Sequence, residues 1–358
     1  MNGWTDGSIL LTGATGLLGA ELLPRLLTAA PEARVHCLVR ARDRAQLALR
    51  ASELVAGAGL SAELAERVRV HAGDMRADGL GLEAPARAAL AREVRAVVHA
   101  AASTRFDLDL ADARAINVTG TRHVLAFARE AGARLHHVST AYVVGDRQGG
   151  FHNAYEQSKL ESEELVRAAA RDLHTTVYRP SIIVGDSQSG RTPHFRVLYD
   201  PFKWVIYGKT SLLPCRPEVR IDVVPVDWVC DALLALGERS TGSGATYLLA
   251  AGAARSLSIG EILARSEPIV NGWLAAHGQP TVPVPRIVSP DAATPELAQL
   301  FAAGAAVMRT HLPYMLDELL FDDAATEAAL ADSPRCPPLA EYLAAILGYA
   351  LERRFGLP

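Results

Sequence analysis

A chain of 358 residues can bury a large core, either as one α/β domain carrying insertions or as two domains. Its 49% hydrophobic and 21% charged residues are those of an ordinary soluble globular protein, and a formal charge of −4 with a pI near 6.3 excludes whole-chain attraction to nucleic acid or anionic lipid. No nucleic-acid partner and no stable membrane insertion are expected, and any polyanion should bind at a local patch.

In chain order, Ser8-Ile-Leu-Leu-Thr12 is an apolar run suited to a buried parallel strand, and residues 17–27 repeat apolar side chains at helical spacing. The apolar stretch 9–27 is not read as a signal or anchor, because three glycines and Pro24 interrupt it and no basic segment precedes it. Residues 34–39 read as a second strand, 43–56 as a helix and 67–71 as a third strand. Strands at 96–100, 135–138 and 174–178 follow, with helices at 112–131 and 153–171 between them. Such alternation predicts a parallel sheet covered on both faces, with a ligand beyond the carboxyl ends of the strands where strand order reverses. Arg40, Asp74, Ala100 and Thr140 should converge there.

Past Pro180 the pattern changes. Residues 185–217 mix turn formers with Phe195, Trp204 and Tyr207, one more βα pair is expected at 219–236, and a strand at 246–249 precedes helical patterns and a Pro-rich link at 281–290. The expected fold class is α/β, a Rossmann-type doubly wound sheet with a smaller, mostly helical lobe. Residues 1–184, completed by 219–251, would hold the ligand, and 185–218 with 252–358 would form a substrate-binding lobe packed over the sheet's ligand edge. Cys37, Cys215, Cys230 and Cys336 are far apart and lack paired spacing, so neither a metal site nor a disulfide framework is indicated and a reducing cytoplasm is expected.

The chemistry begins at Gly13-x-x-Gly16-x-x-Gly19 on the first strand-helix turn. Glycines there let the backbone approach a pyrophosphate, and the helix amino end offers free N–H groups, so Gly13, Thr15, Gly16, Leu17, Leu18 and Gly19 are candidates for holding a dinucleotide. A merely glycine-lined turn is the alternative. Where an acidic residue would accept the ribose hydroxyls of NAD, the second strand ends in Val39-Arg40-Ala41-Arg42. Arginine there can fork onto a 2′-phosphate, which favours NADPH, with Arg40 the first candidate and Arg42 the second; solvated helix-start arginines are the alternative. Asp74 and Met75 after the third strand are candidate adenine contacts, Asp74 accepting from the exocyclic amine, unless they form a plain turn. Ala100, Ala101 and Ala102 after the fourth strand are also assigned to the cofactor.

Tyr155 and Lys159 lie one helical turn apart in Tyr155-Glu-Gln-Ser-Lys159, in a chain with three lysines, Lys159, Lys203 and Lys209. A nearby ammonium is expected to lower the phenol's pKa and make Tyr155 a proton donor, while Lys159 also binds the nicotinamide ribose. Thr140, preferred over Ser139, follows the fifth strand and could hydrogen-bond a developing oxyanion, or else stabilise the turn. His99, His136 and His137 are expected to be structural; His136 and His137 face opposite ways on one strand and cannot readily share a metal. Ser181, Ser187 and Ser189 lack the G-x-S-x-G setting of a hydrolase nucleophile.

Taken in order, Thr12-Gly-Ala-Thr-Gly-Leu-Leu-Gly19, Val138-Ser-Thr-Ala-Tyr-Val143, Tyr155-x-x-x-Lys159 and Arg179-Pro-Ser-Ile-Ile-Val-Gly-Asp186 make residues 8–190 resemble the extended short-chain dehydrogenase/reductases. The second and fourth runs resemble the fatty acyl-CoA reductase and thioester reductase branch, including the terminal domains of carboxylic acid reductases. Residues 319–326 and 337–342 are faintly similar to the small helical domain of fatty acyl reductases. The resemblance implies Thr140, Tyr155 and Lys159 as a catalytic triad, Asn117 in a supporting role, and the 179–186 loop, with Pro180, Ser181 and Ile183, beside the nicotinamide. It implies NADPH-dependent reduction of an acyl thioester to aldehyde, with alcohol as a further product. These residues include no adenylation or carrier domain, so the acyl group is expected on a separate carrier, CoA or acyl carrier protein. Phe106, Phe195, Trp204 and Tyr207 are candidates for an acyl channel or for core packing. A ketone, aldehyde, alcohol or nucleotide-sugar substrate, and a cofactor-sensing protein without turnover, are the competing expectations.

Overall fold

The structure, a computed structural model, describes residue 4 and residues 7–144, 150–208, 210–239, 243–289 and 306–357. Lys209 and residues 290–305 lie outside the described residues. The chain divides into two compact units, the first of residues 1–180, 229–249 and 325–333, the second of 181–228, 250–324 and 334–358. Residues 219–251, expected to complete the first domain, are shared: 229–249 belong to the first unit and the remainder to the second.

In the first unit, β1 (Ser8–Thr12), β2 (Val35–Val39), β3 (Val68–Ala72), β4 (Val94–His99), β5 (Arg134–Val138), β6 (Thr175–Pro180) and β11 (Ala245–Leu249) form one sheet in the order β11-β6-β5-β4-β1-β2-β3. All of its pairings are parallel. β2 is buried at every position and β1 at all but its first, which matches the unbroken apolar runs of strands covered on both faces. The order reverses at β1, whose neighbours are β2 on one side and β4 on the other, so the carboxyl ends of β1 and β4 frame the crevice of a doubly wound fold.

The helices α1 (Leu17–Ala29), α2 (Arg44–Gly57), α5 (Leu110–Ala131) and α6 (Ala154–Ala169) begin on caps that the sequence supplies. Asp43, Asp109 and Asn153 each accept an amide of the first turn from their side chains, while α1 starts at Gly16 with no side-chain cap. Val97, Val124, Phe127, Leu135, Val166 and Val177 join strands and helices in one buried cluster.

Two expectations change here. α4 (Ala84–Glu93) intervenes before β4; its alanine-rich sequence leaves only Leu90 and Ala91 buried, too weak a periodicity to announce a helix. The βα pair expected at 219–236 is instead two short strands, β9 (Arg220–Ile221) and β10 (Val223–Pro225), leading into α8 (Val226–Arg239). β10 pairs with β7 (Ile182–Val184) in a separate two-stranded sheet, and Pro225, which has no N–H, ends it.

The second unit is built on three such short pairs, β7 with β10, β9 with β12 (Leu257–Ser258), and β8 (Leu212–Pro214) with β13 (Arg286–Val288). Its core is made by α7 (Tyr199–Ile206), α9 (Ile259–Ala276) and the helix Leu339–Glu352, through Tyr199, Phe202, Ile262, Val270, Tyr342 and Ile346. Buried Asp222 joins its loops, accepting from the Ser181 hydroxyl (2.5 Å) and from the amides of Ala251 and Gly252 (both 2.9 Å). Phe195 packs among Tyr199, Tyr349 and Phe355 as a core residue. An apolar hollow of about 120 Å³ lies in this unit, lined by Phe202, Val205, Leu213, Ile262, Val270 and Met315 among others. Among the described residues no helix is long and apolar enough to cross a membrane.

A Cβ on Gly19 would fall 2.1 Å from the Gly13 carbonyl oxygen, whereas one on Gly57 would meet nothing within 4 Å. Gly19→Ala should therefore cost about 1–3 kcal/mol, and Gly57→Ala should stabilise by about 0.4–1 kcal/mol, with urea midpoints as the readout.

Candidate active site

The glycine turn and the loop after β4 come together at the strand-order reversal. Gly13 has φ of +77°, a conformation that favours glycine, and a Cβ there would sit 2.7 Å from the Ala101 amide nitrogen and 2.8 Å from the Ala100 carbonyl carbon. The Ala100 amide donates to the Thr12 carbonyl and the Ala101 amide to the Thr12 hydroxyl (both 3.3 Å). Gly16 donates to the Gly13 carbonyl at 2.9 Å, closing the turn, and the first turn of α1 carries no acidic residue. Its leading amides and the positive end of its dipole thus form a setting for an anion. Thr15 is exposed and Leu17 half-buried on this turn, while Leu18 is buried in the core and offers the site only backbone.

Beyond β2 and β3 lies a hollow of about 470 Å³ lined by Arg40, Arg42, Gln46, Arg50, Gly73, Asp74 and Arg76. Arg40 and Arg42 are exposed, and the Arg42 guanidinium lies 3.3 Å from Asp43. The Asp74 carboxylate accepts from Arg76 at both oxygens, Nη2 to Oδ2 at 2.6 Å and Nε to Oδ1 at 3.1 Å, which holds it below the usual carboxylate range. Arg76, two residues away, thus shares both oxygens of Asp74, and each keeps a lone pair with which to accept a further bond. Met75 turns its side chain against Gly120 on α5, and its carbonyl accepts from or faces His123 Nδ1 at 2.8 Å. Arg50 and Arg76 were not anticipated. Arg50 follows Gln46 by four residues on α2, a helical spacing legible in the sequence.

Tyr155, Lys159 and Thr140 do come together. Lys159, 3% exposed, donates to the Val138 carbonyl at 2.7 Å, and burial lowers its pKa to about 8 against an opposing pull from Glu163. Thr140 is buried, its hydroxyl 3.5 Å from the Pro180 carbonyl, and it lies close enough to the Tyr155 phenol to favour the phenolate. Burial pushes Tyr155 up to about 12, with Thr140 pulling the other way. The expected lowering of Tyr155 by Lys159 is thus absent from this structure, because the ammonium is committed to a backbone carbonyl and desolvation of the phenolate dominates. The Phe106 ring lies 5.6 Å from that of Tyr155.

Asn117 ties the site's pieces to one another. Buried on α5, it accepts from the Ser103 amide (2.8 Å) and donates to the Ser103 carbonyl (3.2 Å) and the Ser158 hydroxyl (2.9 Å). The loop after β4 and the helix bearing Tyr155 are joined through one side chain. His99 makes a second tie, from β4 to Thr12 of β1 (2.8 Å) and Thr121 of α5 (3.0 Å). His136 faces Tyr178 Oη at 2.9 Å, and both ring nitrogens of His137 are buried without a hydrogen-bond partner. Ser181 and Ile183 stand in the second unit, Ser181 on Asp222 and Ile183 in register with Val224 of β10.

The fold and this arrangement define an NAD(P)-dependent oxidoreductase of the extended short-chain dehydrogenase/reductase type. The chain belongs to the NAD-binding family described as male sterility protein, whose model matches residues 11–233, and so to the fatty acyl-CoA reductase and thioester reductase branch. It is 24% identical over 280 residues to the fatty acyl-CoA reductase wat of Drosophila melanogaster, covering 65% of this chain and 54% of that protein. It is 31% identical over 259 residues to the glycine betaine reductase ATRR of Emericella nidulans, covering 65% of this chain and 20% of that one. The chain thus spans about half or less of the length of these relatives. Among solved structures, the terminal R domain of the myxalamid PKS-NRPS biosynthetic pathway superposes with a TM-score of 0.77 at 28% identity, covering 98% of this chain and 91% of that one.

Burial lowers His99 and His136 from 6.5 to about 3, so the folded protein keeps both neutral. Their contribution to stability is fully present above pH 6.5 and is lost as the pH falls toward 3, since the unfolded chain binds the protons first. Unfolding free energy should drop by about 2 kcal/mol per histidine between pH 7 and 5, measured by urea titration at both values.

Proposed function

We propose that the chain is an NADPH-dependent reductase of acyl thioesters, carried on CoA or a carrier protein, with an aldehyde as first product. The observation that carries the reading is the gathering of Thr140 at the end of β5 with Tyr155 and, one turn along the same helix, Lys159 bonded to the β5 carbonyl of Val138, in a chain of this family. The residues fit a dinucleotide: Gly13 and Gly19 let the head of α1 close onto the end of β1, Gly16 keeps the turn open to a ligand, and Leu17 and Leu18 present amides there. Arg40 and Arg42, in the basic hollow with Arg50, would take the 2′-phosphate. Thr15, Asp74, Met75, Ala100, Ala101, Ala102, Pro180, Ser181 and Ile183 complete the proposed contacts. When bound, the dinucleotide supplies the hydride that makes the carbonyl carbon tetrahedral.

Thr140 and Tyr155 hydrogen-bond the carbonyl oxygen as it gains negative charge. A phenol held protonated by burial is the right form to deliver a proton, and Tyr155 gives it to that oxygen. The resulting phenolate would draw on the Lys159 ammonium, which stands one turn away on the same helix face and in this structure is bonded to the Val138 carbonyl. The hemithioacetal then loses thiol and leaves aldehyde; a second round on the aldehyde gives alcohol. The fatty acyl-CoA reductase and R-domain relatives support the thioester as substrate. The second unit would bind substrate, its apolar hollow offering a place for an aliphatic chain.

NADPH oxidation with a panel of acyl-CoA and acyl-carrier thioesters should release one thiol per NADPH if the product is aldehyde and one per two NADPH if it is alcohol, as product mass should show. Reduction of ketones or sugar nucleotides without thiol release would move the assignment to that substrate class. Tyr155→Phe should lower turnover on the order of 10²-fold or more, measured under saturating thioester. Arg40→Ser should raise the KM for NADPH about tenfold or more while leaving that for NADH nearly unchanged.

A further inference from the structure

Tyr155, Lys159, Glu163 and Arg167 recur every fourth residue and so share one face of α6. Glu163 is completely buried, and three guanidinium contacts hold its carboxylate: Arg179 Nε at 3.0 Å, Arg179 Nη2 at 2.6 Å and Arg167 Nη2 at 2.8 Å. Arg179 lies on β6 next to Pro180, the residue whose carbonyl faces the Thr140 hydroxyl. A buried carboxylate costs stability unless well paired, and this one is paired to the strand that reaches Thr140 and placed one turn below Lys159.

We infer that Glu163 is a positioning residue, which through its charge keeps Lys159 as an ammonium on the Val138 carbonyl and is itself pinned by Arg179 and Arg167. This rests on the proposed roles of Tyr155 and Lys159. The groups around Lys159 make the effect readable. From β4 comes His99 and from β5 His137, both held neutral by burial; Arg179 of β6 reaches this face through its bonds to Glu163. On its own helix stand Tyr155, protonated, and Glu163; Glu156, which acts on Tyr155, is bonded to His152. Without the Glu163 charge, Lys159 would keep its desolvation and lose the carboxylate that opposes it.

Having three lysines makes the test direct. In protein labelled at lysine Cε, Lys203→Arg and Lys209→Arg assign two resonances and leave the third to Lys159, whose titration is then followed without substrate or dinucleotide. Glu163→Gln should move the Lys159 midpoint down by about one pH unit or more, and Glu164→Gln, at an exposed position, should not move it. Arg167→Gln, which removes one of the two guanidinium groups that neutralise the carboxylate, should move it up. A Glu163→Gln protein that is folded and titrates within about 0.3 units of the parent overturns the inference. Should that variant fail to fold, Arg167→Gln decides alone: a rise supports the inference, no change or a fall overturns it.

In turnover, the alkaline fall of kcat should move to lower pH in Glu163→Gln by the same interval as the lysine midpoint, with KM little changed. A shifted midpoint in a protein that reduces no thioester would sink the proposed activity and leave the coupling standing. An unshifted midpoint in an active protein would do the reverse.

Discussion

The site depends on a contact that two side chains would prevent. α1 crosses the end of β1 so closely that its Gly19 rests on the carbonyl of Gly13, and Gly13 in turn lies against the backbone of Ala100 and Ala101. Both approaches are shorter than any Cβ tolerates. With them, the amide end of α1, the loop after β4 and the strand-order reversal fall in one place; without them the helix would have to lift off the sheet. The same loop is then tied to α6 through Asn117, which bonds Ser103 on one side and Ser158 on the other. Backbone proximity at the glycines and a single buried amide therefore tie the crevice at the strand-order reversal to the helix of Tyr155.

Much of this could be read from residue order. β1 and β2 announce themselves as apolar runs because both faces are covered, the edge strand β3 shows only as Val68 and Val70 alternating with Arg69 and His71, and the glycine spacing sits where β1 ends. α4 escaped because alanine carries little amphipathic signal. β10 escaped for another reason: a run such as Val223-Val224 shows that a segment will be buried but not which strand it will join. The site was legible as a set of residues and not as an electrostatic arrangement. Helical spacing puts Tyr155 and Lys159 on one face, yet it cannot say that the ammonium reaches across to Val138 on β5, or that burial outweighs it at the phenol. The pairing of Arg179 with Glu163, and of Asn117 with Ser158, joins separate elements and exists only once the sheet and helices have packed.

Two ways of burying polarity meet here. His99 is neutral and both of its ring nitrogens face hydroxyls, so it behaves as a cross-brace between β4, β1 and α5. Lys159 and Glu163 are buried with charge, each supported by specific partners, and they line the helix that carries the tyrosine. Bracing with neutral groups next to the strands leaves the field along α6 to be set by its own few ions.

The two units are interleaved along the chain, which leaves the first at residue 180, returns for 229–249, leaves again and returns once more for 325–333. That last visit places the Thr326 hydroxyl on the Leu248 amide of β11, the outermost strand beside β6. During synthesis, therefore, the sheet carries an uncovered edge for as long as it takes to make some seventy-five further residues, the interval from 250 to 324. An exposed parallel edge is a template for another chain, so nascent or truncated forms ending in that interval are the ones in which a holding chaperone matters most.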